Sequence, residues 1–205
     1  MTTLAVVGAG PGLGAAVARR FGAAGFEVAL ISRNPGKLGG RGYPADVRDP
    51  EALHAALTQA ADELGPIEVL QYSPIPHRDF LKPVADTTPQ DVVAAVEFSV
   101  LGPMTAVNAV LPGMRQLGRG AILFVNGGSG ARPDPKVAGT SIAFAGEGAY
   151  GKMLHETLGP EGIRVAQLII PGAIRPADTD GLAEQLWRLH ATDGEFRTWS
   201  DGSAA

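Results

Sequence analysis

A glycine-rich segment near the start of the chain carries the strongest chemical signal in the sequence. Residues 8–14 read Gly-Ala-Gly-Pro-Gly-Leu-Gly and directly follow the apolar run Leu4–Val7. Such a turn lets the backbone approach a pyrophosphate and aims the amino terminus of the next helix at its charge. The strict Gly-x-Gly-x-x-Gly pattern fails at Leu13, and the spacing is Gly-x-x-x-Gly-x-Gly instead. The alternative is a turn that only packs helix on strand; we predict a dinucleotide site formed by Gly8, Gly10, Gly12, Leu13 and Gly14.

The residues after the second apolar run indicate which dinucleotide this site prefers. An NAD-selective site places a carboxylate here to hold the ribose 2′-hydroxyl. This chain has Ser32-Arg33-Asn34 instead, and a guanidinium group binds a 2′-phosphate well. We therefore predict NADP(H) as the cofactor, with Ser32 and Arg33 as its contacts. The alternative is that Arg33 is a solvated loop residue.

Composition and charge restrict the class of protein. The 205 residues are 45% apolar and 19% charged, which is enough for one domain with a buried core, and Cys is absent, which excludes disulfides and thiolate chemistry. The net charge of −4, without a basic stripe, argues against nucleic-acid binding. The uncharged stretches Met1–Ala18 and Phe98–Met114 both contain Gly and Pro, so we expect no membrane span. No signal peptide is apparent, so we expect a cytoplasmic location, and we assign no metal ligands.

Short apolar runs alternate with helical patterns along the chain, which predicts a doubly wound parallel sheet in one Rossmann-type α/β domain over residues 1–205. The predicted strands are Leu4–Val7, Phe26–Ser32, Gly42–Val47, Ile67–Tyr72, Ala121–Asn126, Ile163–Ile170 and Phe196–Trp199. The predicted helices are Ala15–Ala24, Pro50–Leu64, Pro89–Met114 with a kink at Pro103, Ile142–Leu158 and Gly181–His190.

One predicted connection is too short. About eight residues separate the second strand from the third, whereas a parallel crossover usually needs a dozen or more. We therefore predict that this crossover helix is missing or reduced to a turn.

With these pieces in this order, the sequence resembles the short-chain dehydrogenase/reductase family over nearly its whole length. The matching segments are 8–14, Asp46-Val47, the strand 120–125, and Gly162–Val165 leading to Pro171-Gly172. The resemblance implies that Asp46 and Val47 hold the adenine and that Pro171 and Gly172 border the nicotinamide. It also implies that the residues after the fourth strand line the cofactor ribose, where Gln71-Tyr72-Ser73-Pro74 replaces the usual Asn-Asn-Ala-Gly. Tyr72 and Ser73 are therefore predicted cofactor contacts.

The usual catalytic residues of the family are replaced. Counting back from Gly162-Ile163 places Thr140 at the position of the family's Tyr acid and Phe144 at the position of the Lys that lowers its pKa. The Ser position falls on Gly127, with Ser129 nearby, and the Asn position falls on Ser99. A Thr hydroxyl is a far weaker acid than a phenol, and Phe144 supplies no positive charge.

No Tyr-x-x-x-Lys occurs elsewhere in the chain. Tyr150 and Lys152 are two residues apart, so on one helix their side chains point about 200° apart and cannot share a site. Loss of general acid catalysis costs roughly 10²–10⁴-fold in rate. Either another residue donates the proton, the reaction needs none from the protein, or there is no reaction.

Three residues are the candidate catalytic groups. Tyr72 lies at the carboxyl end of a central strand, where α/β sites are built, and is the best remaining acid, although it could equally be a packing residue. Ser129 could reach a substrate oxygen from its glycine-rich turn. Thr140 could hydrogen-bond substrate, although it and Ser141 are better explained as helix caps. Beyond these three, His77 could shuttle protons from a proline-flanked loop, although a loop His is more often only solvated.

These residues predict an NADP(H)-dependent oxidoreductase that acts on a small carbonyl or an activated alkene. An activated alkene is attractive because hydride attack gives an enolate that solvent can protonate. The alternatives are a catalytically silent NADP(H)-binding sensor or scaffold and a non-redox isomerase or dehydratase. The apolar circumference of the helices Pro89–Met114 and Ile142–Leu158 predicts a homodimer or homotetramer, since these two helices form the dimer interface in the family that the chain resembles.

Overall fold

The computed structural model describes residues 2–38 and 40–203 as seven strands and six α-helices, joined by short 3₁₀ turns. The strands are β1 Thr3–Val7, β2 Glu27–Ser32, β3 Arg41–Pro44, β4 Ile67–Tyr72, β5 Gly120–Gly127, β6 Ile163–Ile170 and β7 Arg197–Trp199. The helices are α1 Leu13–Gly22, α2 Pro50–Leu64, α3 Pro89–Val96, α4 Gly102–Leu117, α5 Ala138–Leu158 and α6 Thr179–Ala191.

All strands pair in parallel in the order β3-β2-β1-β4-β5-β6-β7. The strand order reverses between β1 and β4, and a crevice opens at such a point beyond the carboxyl ends of the strands. The predicted doubly wound α/β sheet is therefore confirmed, and its topology places a ligand crevice next to the glycine-rich segment.

The two faces of the sheet bury separate apolar cores. On one face, Phe21 of α1 and Leu186 of α6 pack with alternate residues of the central strands. On the other face, α2, α4 and α5 cover a core that contains Tyr72 and Phe124. The strands are covered on both faces, which explains why they appear in the sequence as continuous apolar runs.

The connection between β2 and β3 contains one 3₁₀ turn, Pro35–Lys37, among its described residues, so the predicted loss of the crossover helix is confirmed. This turn lies close over the edge strand: a Cβ added to Gly42 would be 2.6 Å from the Pro35 Cβ. Glycine at this position lets β3 pair with β2 under so short a connection.

Two of the predicted boundaries that differ from the structure affect residues near the site. β3 ends at Pro44 instead of Val47. α5 begins at Ala138, four residues before the predicted start, so Thr140 and Ser141 lie in its first turn and are not its caps. Their hydroxyls donate to the Val137 carbonyl at 3.1 and 2.9 Å. This local bonding satisfies both side chains inside the helix.

The kink predicted at Pro103 is a π-turn, Glu97–Leu101, which joins α3 to α4. The Gly102 N–H donates to the Glu97 carbonyl and not to the Phe98 carbonyl. Residue 103 has no N–H to offer in its place. The Phe98 carbonyl is left without a helical partner, and the Tyr72 hydroxyl donates to it at 2.6 Å. The carbonyl that the proline leaves free thus provides a partner for the buried Tyr72 hydroxyl.

The continuous helix Pro89–Leu117 is long and apolar enough to cross a membrane by length and composition alone. In the structure, its second half packs against α2 and β4, and Val107, Val110 and Met114 are buried in the core. This packing accounts for part of its apolar character. Val93, Leu101 and Met104 remain exposed along the same helix.

The Tyr72–Phe98 hydrogen bond predicts a stability effect for Tyr72→Phe. The substitution keeps the ring and leaves a buried carbonyl unpaired, which should lower the free energy of unfolding by about 1–3 kcal/mol. Tyr150→Phe is the control, because within the described residues its hydroxyl makes no hydrogen bond, and it should change stability by less than about 0.5 kcal/mol. Urea unfolding of the two variants measures the difference; equal effects would contradict the assignment.

Candidate functional site

A cleft of about 740 Å³ lies at the carboxyl edge of the sheet, where the strand order reverses. We call it the main cleft. The glycine-rich segment forms one wall, the segment Ser73–Pro76 after β4 forms another, and the segment after β6, including Gly172 and Ile174, closes the far side. With Asn126 and Gly127 of β5, the ends of four parallel strands therefore build one cavity large enough for an extended ligand.

The glycines of the first wall have two different roles. Gly8 has φ +85°, and a Cβ there would collide with the Pro74 backbone and lie 2.8 Å from the Ser73 carbonyl carbon. Gly14 packs against Ala9, with 3.0 Å between its Cβ position and the Ala9 Cα. Gly10 and Gly12 have no atom within 4 Å of their Cβ positions. Gly8 and Gly14 are therefore needed for the fold, whereas the other two leave open space at the cleft.

The open space lies at the start of α1. The residue preceding the helix is Gly12, no side chain caps the first turn, and no acidic residue lies in it. The partial positive charge of the amino terminus is therefore not neutralised locally. This wall is chemically suited to a phosphate group, as the sequence predicts, and Leu13 lines it as well.

Backbone hydrogen bonds hold the glycine-rich turn beside the predicted specificity residues, which do not themselves line the main cleft. The N–H groups of Gly8 and Ala9 both donate to the Ile31 carbonyl, at 3.0 and 3.1 Å. They hold the glycine-rich turn beside the end of β2, where Ser32 is half-buried and the following Arg33 is exposed.

The predicted adenine contacts lie at the next strand end. The Ala45 N–H donates to the Ser32 carbonyl at 3.1 Å, which holds the segment after β3 beside the end of β2. Val47 is buried and Asp46 is exposed, with its carboxylate accepting from the Arg48 N–H at 3.0 Å. The structure thus brings Asp46 and Val47 to the same sheet edge as Arg33, although neither lines the main cleft.

A second cavity of about 520 Å³, the side pocket, adjoins the main cleft and shares Pro76, Gly127, Phe144 and Gly172 with it. Pro171 lines the side pocket, and Ser73 lines the main cleft. The segment Pro171-Gly172 therefore lies between the two cavities, which suits a border between two bound molecules.

The structure brings two of the three predicted catalytic residues together in the side pocket. The Ser129 hydroxyl lies 3.4 Å from the Thr140 hydroxyl, to which it donates. Thr140 is fixed in turn by its bond to the Val137 carbonyl. Phe144, one turn along α5, walls both cavities. Because the Thr140 hydrogen is bonded to the Val137 carbonyl, Ser129 is the member of this pair whose hydroxyl could turn to a substrate oxygen, and Phe144 supplies no positive charge one turn along α5.

The third predicted catalytic residue is elsewhere. Tyr72 is 1% exposed in the core under α4, lines neither cavity, and spends its hydroxyl hydrogen on the Phe98 carbonyl. Burial, and to a lesser extent the charges of Glu147 and Asp46, raise the pKa of this hydroxyl well above its ordinary value. The prediction of Tyr72 as proton donor and ribose contact is corrected, because a side chain at this strand position points into the core.

A buried polar group next to the main cleft was not predicted from the sequence. Asn126 lines the cleft, and its carboxamide donates to the Glu147 carboxyl at 3.1 Å. Glu147 is 2% exposed, and burial raises its pKa to about 8, although the Asn126 hydrogen bond acts in the opposite direction. A signal was present: Glu147 is the one charged residue in the stretch Thr140–Gly151.

The comparison with protein families agrees with this architecture. The family model described as short chain dehydrogenase matches residues 2–186. The chain therefore belongs to the short-chain dehydrogenase family, whose members are oxidoreductases that bind nicotinamide cofactors.

Known relatives resemble the chain over most of its length. The short-chain reductase protein NovJ of Streptomyces niveus is 32% identical, over 88% of this chain and 72% of its own. A short-chain dehydrogenase from Rhodopseudomonas palustris superposes with a TM-score of 0.83 at 28% identity, covering 97% of both chains.

Two further solved structures carry different nucleotides. A metagenomic short-chain oxidoreductase in complex with NADP has a TM-score of 0.84 at 23% identity, covering 97% of this chain and 96% of its own. An oxidoreductase of Brucella ovis in complex with a partially ordered NAD has a TM-score of 0.77 at 22% identity, covering 92% of both chains. At these identities the likeness concerns the fold.

The two kinds of glycine predict opposite outcomes for two alanine substitutions. Gly8→Ala forces a positive φ on a residue with a Cβ and pushes it into the Pro74 backbone, so it should lower the free energy of unfolding by about 2–4 kcal/mol. Gly10→Ala meets no neighbour and should change stability by less than about 0.5 kcal/mol, while hindering a phosphate from approaching the backbone. Chemical unfolding and NADPH titration of both variants test this; a stable Gly8→Ala protein would contradict it.

Proposed function

We propose that this protein is an NADP(H)-dependent oxidoreductase that reduces a small activated alkene or carbonyl compound. The observation that carries the proposal is the main cleft, in which an uncapped helix start with open glycines, Ser73 and Gly172 border one cavity. The dinucleotide would lie along this cleft, and the substrate would enter from the side pocket.

The residues present fit such a nucleotide. Gly10 and Gly12 leave room for a pyrophosphate at the start of α1. Arg33, exposed beyond the end of β2, would hold the 2′-phosphate, and Ser32 would support it. Asp46 and Val47 would hold the adenine, Ser73 the ribose, and Pro171-Gly172 would border the nicotinamide. When bound, the reduced nicotinamide supplies a hydride.

The chain's own residues favour an activated alkene over a simple ketone. Reduction of a ketone needs a proton at the oxygen, and no residue of the Ser129–Thr140 pair is acidic enough to supply it. Ser129 can still turn its hydroxyl hydrogen from Thr140 to a carbonyl oxygen that is conjugated to the alkene. Hydride addition to the distal carbon then places negative charge on that oxygen as an enolate, and solvent can protonate the carbon.

A second function is favoured by the same missing acid. A chain that binds the nucleotide but turns nothing over would be a sensor or scaffold whose ligand is NADP(H). Turnover separates the two: an oxidoreductase oxidises NADPH in the presence of an enone such as cyclohexenone, whereas a sensor binds NADPH and leaves every enone and carbonyl compound unchanged. A non-redox isomerase or dehydratase would convert its substrate without net oxidation of NADPH.

Nicotinamide fluorescence gives the first test of the cofactor. We expect NADPH to bind at least tenfold more tightly than NADH, and Arg33→Asp to invert that ratio, because the new carboxylate repels the 2′-phosphate and accepts from the 2′-hydroxyl. Arg188→Asp on α6 makes the same change of net charge away from the site and should leave the ratio unaltered. An unchanged ratio in Arg33→Asp would refute the assignment of Arg33.

The exposed apolar residues predict self-association. On α5, four residues are exposed along one face: Ile142, Ala145, Ala149 and Met153. Leu101, the last residue of the π-turn that α5 packs against, is also exposed, as is Met104 in α4. We propose that these surfaces pair two copies of the chain, as a homodimer or as half of a homotetramer. A monomeric protein would expose this apolar surface to water.

Light scattering tests this assembly. The unaltered protein should have the mass of two or four chains, and Met153→Glu should shift the population toward monomer, because each interface would bury charges without partners. Val84→Glu introduces the same charge at an exposed apolar residue outside these helices and should leave the mass unchanged. A monomeric unaltered protein would contradict the proposal.

A further inference from the structure

Behind the main cleft, four polar side chains form a continuous hydrogen-bonded chain across three strands and one helix. Arg197 of β7 donates from Nε to Gln167 Oε1 at 2.7 Å, and Gln167 Nε2 donates to Asn126 Oδ1 at 2.7 Å. Asn126 Nδ2 then donates to Glu147 Oε2 at 3.1 Å. Gln167, Asn126 and Glu147 are each at least 98% buried.

The direction of this chain is set by its two ends. A guanidinium only donates, so the Gln167 oxygen must face Arg197 and its NH₂ must face Asn126. The Asn126 oxygen therefore accepts from Gln167, and one Asn126 N–H group donates to Glu147. Both amides are therefore held in a single orientation, and Asn126 is also one of the residues that line the main cleft.

The surrounding helix is shaped to admit this chain. A Cβ on Gly148 would be 2.7 Å from the Arg197 Nη2 and 3.5 Å from the Gln167 amide nitrogen. Glycine at this position of α5 lets the guanidinium and the amide pass beneath the helix. Glu147 Oε1, by contrast, is buried without a hydrogen-bond partner in the described residues, which is where a carboxylic acid can keep its proton.

Few other charges face Glu147. Tyr72 of β4 is close enough for Glu147 to raise its pKa, and it stays neutral in the physiological range. Arg197 is the cation at the opposite end of the hydrogen-bonded series that ends at Glu147. On the π-turn that packs against α5, Glu97 is paired with Arg48 at 2.7 Å. A charge that arrives in the main cleft would therefore be a new and largely unscreened influence on Glu147.

We propose that Glu147 is a positioning residue that holds the Asn126 carboxamide at the main cleft, and that it gives up its proton when a positively charged ring binds there. The proposal rests on the proposed function for the identity of that ring, which is the oxidised nicotinamide. The reduced ring is neutral and has no such effect. Both forms of the nucleotide carry the same phosphates, so the comparison between them isolates the charge of the ring.

The sign of the pH dependence follows from linkage. Below pH 8 Glu147 is mostly protonated, because burial raises its pKa to about 8. A cation favours the carboxylate, so binding of NADP+ is accompanied by proton release and tightens relative to NADPH as the pH rises through 8. The ratio of the NADP+ to the NADPH dissociation constant should fall on the order of fivefold between pH 6.5 and 9.

Isothermal titration calorimetry with NADP+ and NADPH tests this proposal. In Glu147→Gln, which keeps an acceptor for Asn126, the ratio of dissociation constants should be independent of pH while both affinities at pH 6.5 are retained. Glu147→Leu should weaken both nucleotides at every pH, because nothing then holds the Asn126 carboxamide. Glu156→Gln is the control on the same helix: Glu156 is exposed and paired with Lys152, and the variant should follow the unaltered protein.

A second measurement needs no variant. At pH 8, titrations in two buffers of different ionisation enthalpy should show that NADP+ binding releases about 0.3 proton more per site than NADPH binding, the amount that a fivefold effect implies. A ratio that is flat in the unaltered protein, or that changes equally in Glu147→Gln, overturns this inference and leaves the proposed function intact. A protein that binds neither nucleotide overturns both.

Discussion

The site depends on one close contact, between the backbone of Gly8 and the backbone of Pro74. These residues follow the adjacent parallel strands β1 and β4 at the point where the strand order reverses, and no Cβ fits between them. The positive φ of Gly8 turns the chain there toward the start of α1, and the Ile31 carbonyl holds the turn from the other side. The open glycines and the uncapped helix start are exposed to the main cleft because this contact holds the loop below them.

The polar groups around the two cavities lie at different depths. The hydroxyls of Ser129 and Thr140 line the side pocket. Ser129 can orient a substrate oxygen, but neither hydroxyl is acidic enough to protonate that oxygen. Glu147 is buried behind Asn126, and burial raises its pKa to about 8. The groups proposed to bind the nucleotide, to orient the substrate and to hold a proton are thus separated.

The buried polar groups behind the cleft also explain features of the fold that have no direct contact with a ligand. Pro103 deprives the Phe98 carbonyl of a helical partner, and Tyr72 satisfies it from beneath. Gly148 leaves room for Arg197 and Gln167. In both places a residue that is unfavourable within a helix, a proline or a glycine, is compensated by a polar group on the adjoining strand.

The sequence alone determined the doubly wound parallel sheet, the missing crossover helix and the glycine-rich wall. Apolar periodicity, loop length and glycine spacing, on which these predictions rest, are local properties. It also predicted Ser129 and Thr140, which the fold brings together from a turn and a helix. It could not decide that Tyr72 faces the core, since a one-residue alternation along β4 selects the face and the residue that pairs with the hydroxyl, Phe98, lies 26 positions away. Nor could it join Asn126, Glu147, Gln167 and Arg197, whose contacts exist only after three parallel strands and α5 have packed, because hydrogen-bond partners distant in sequence are chosen by tertiary structure.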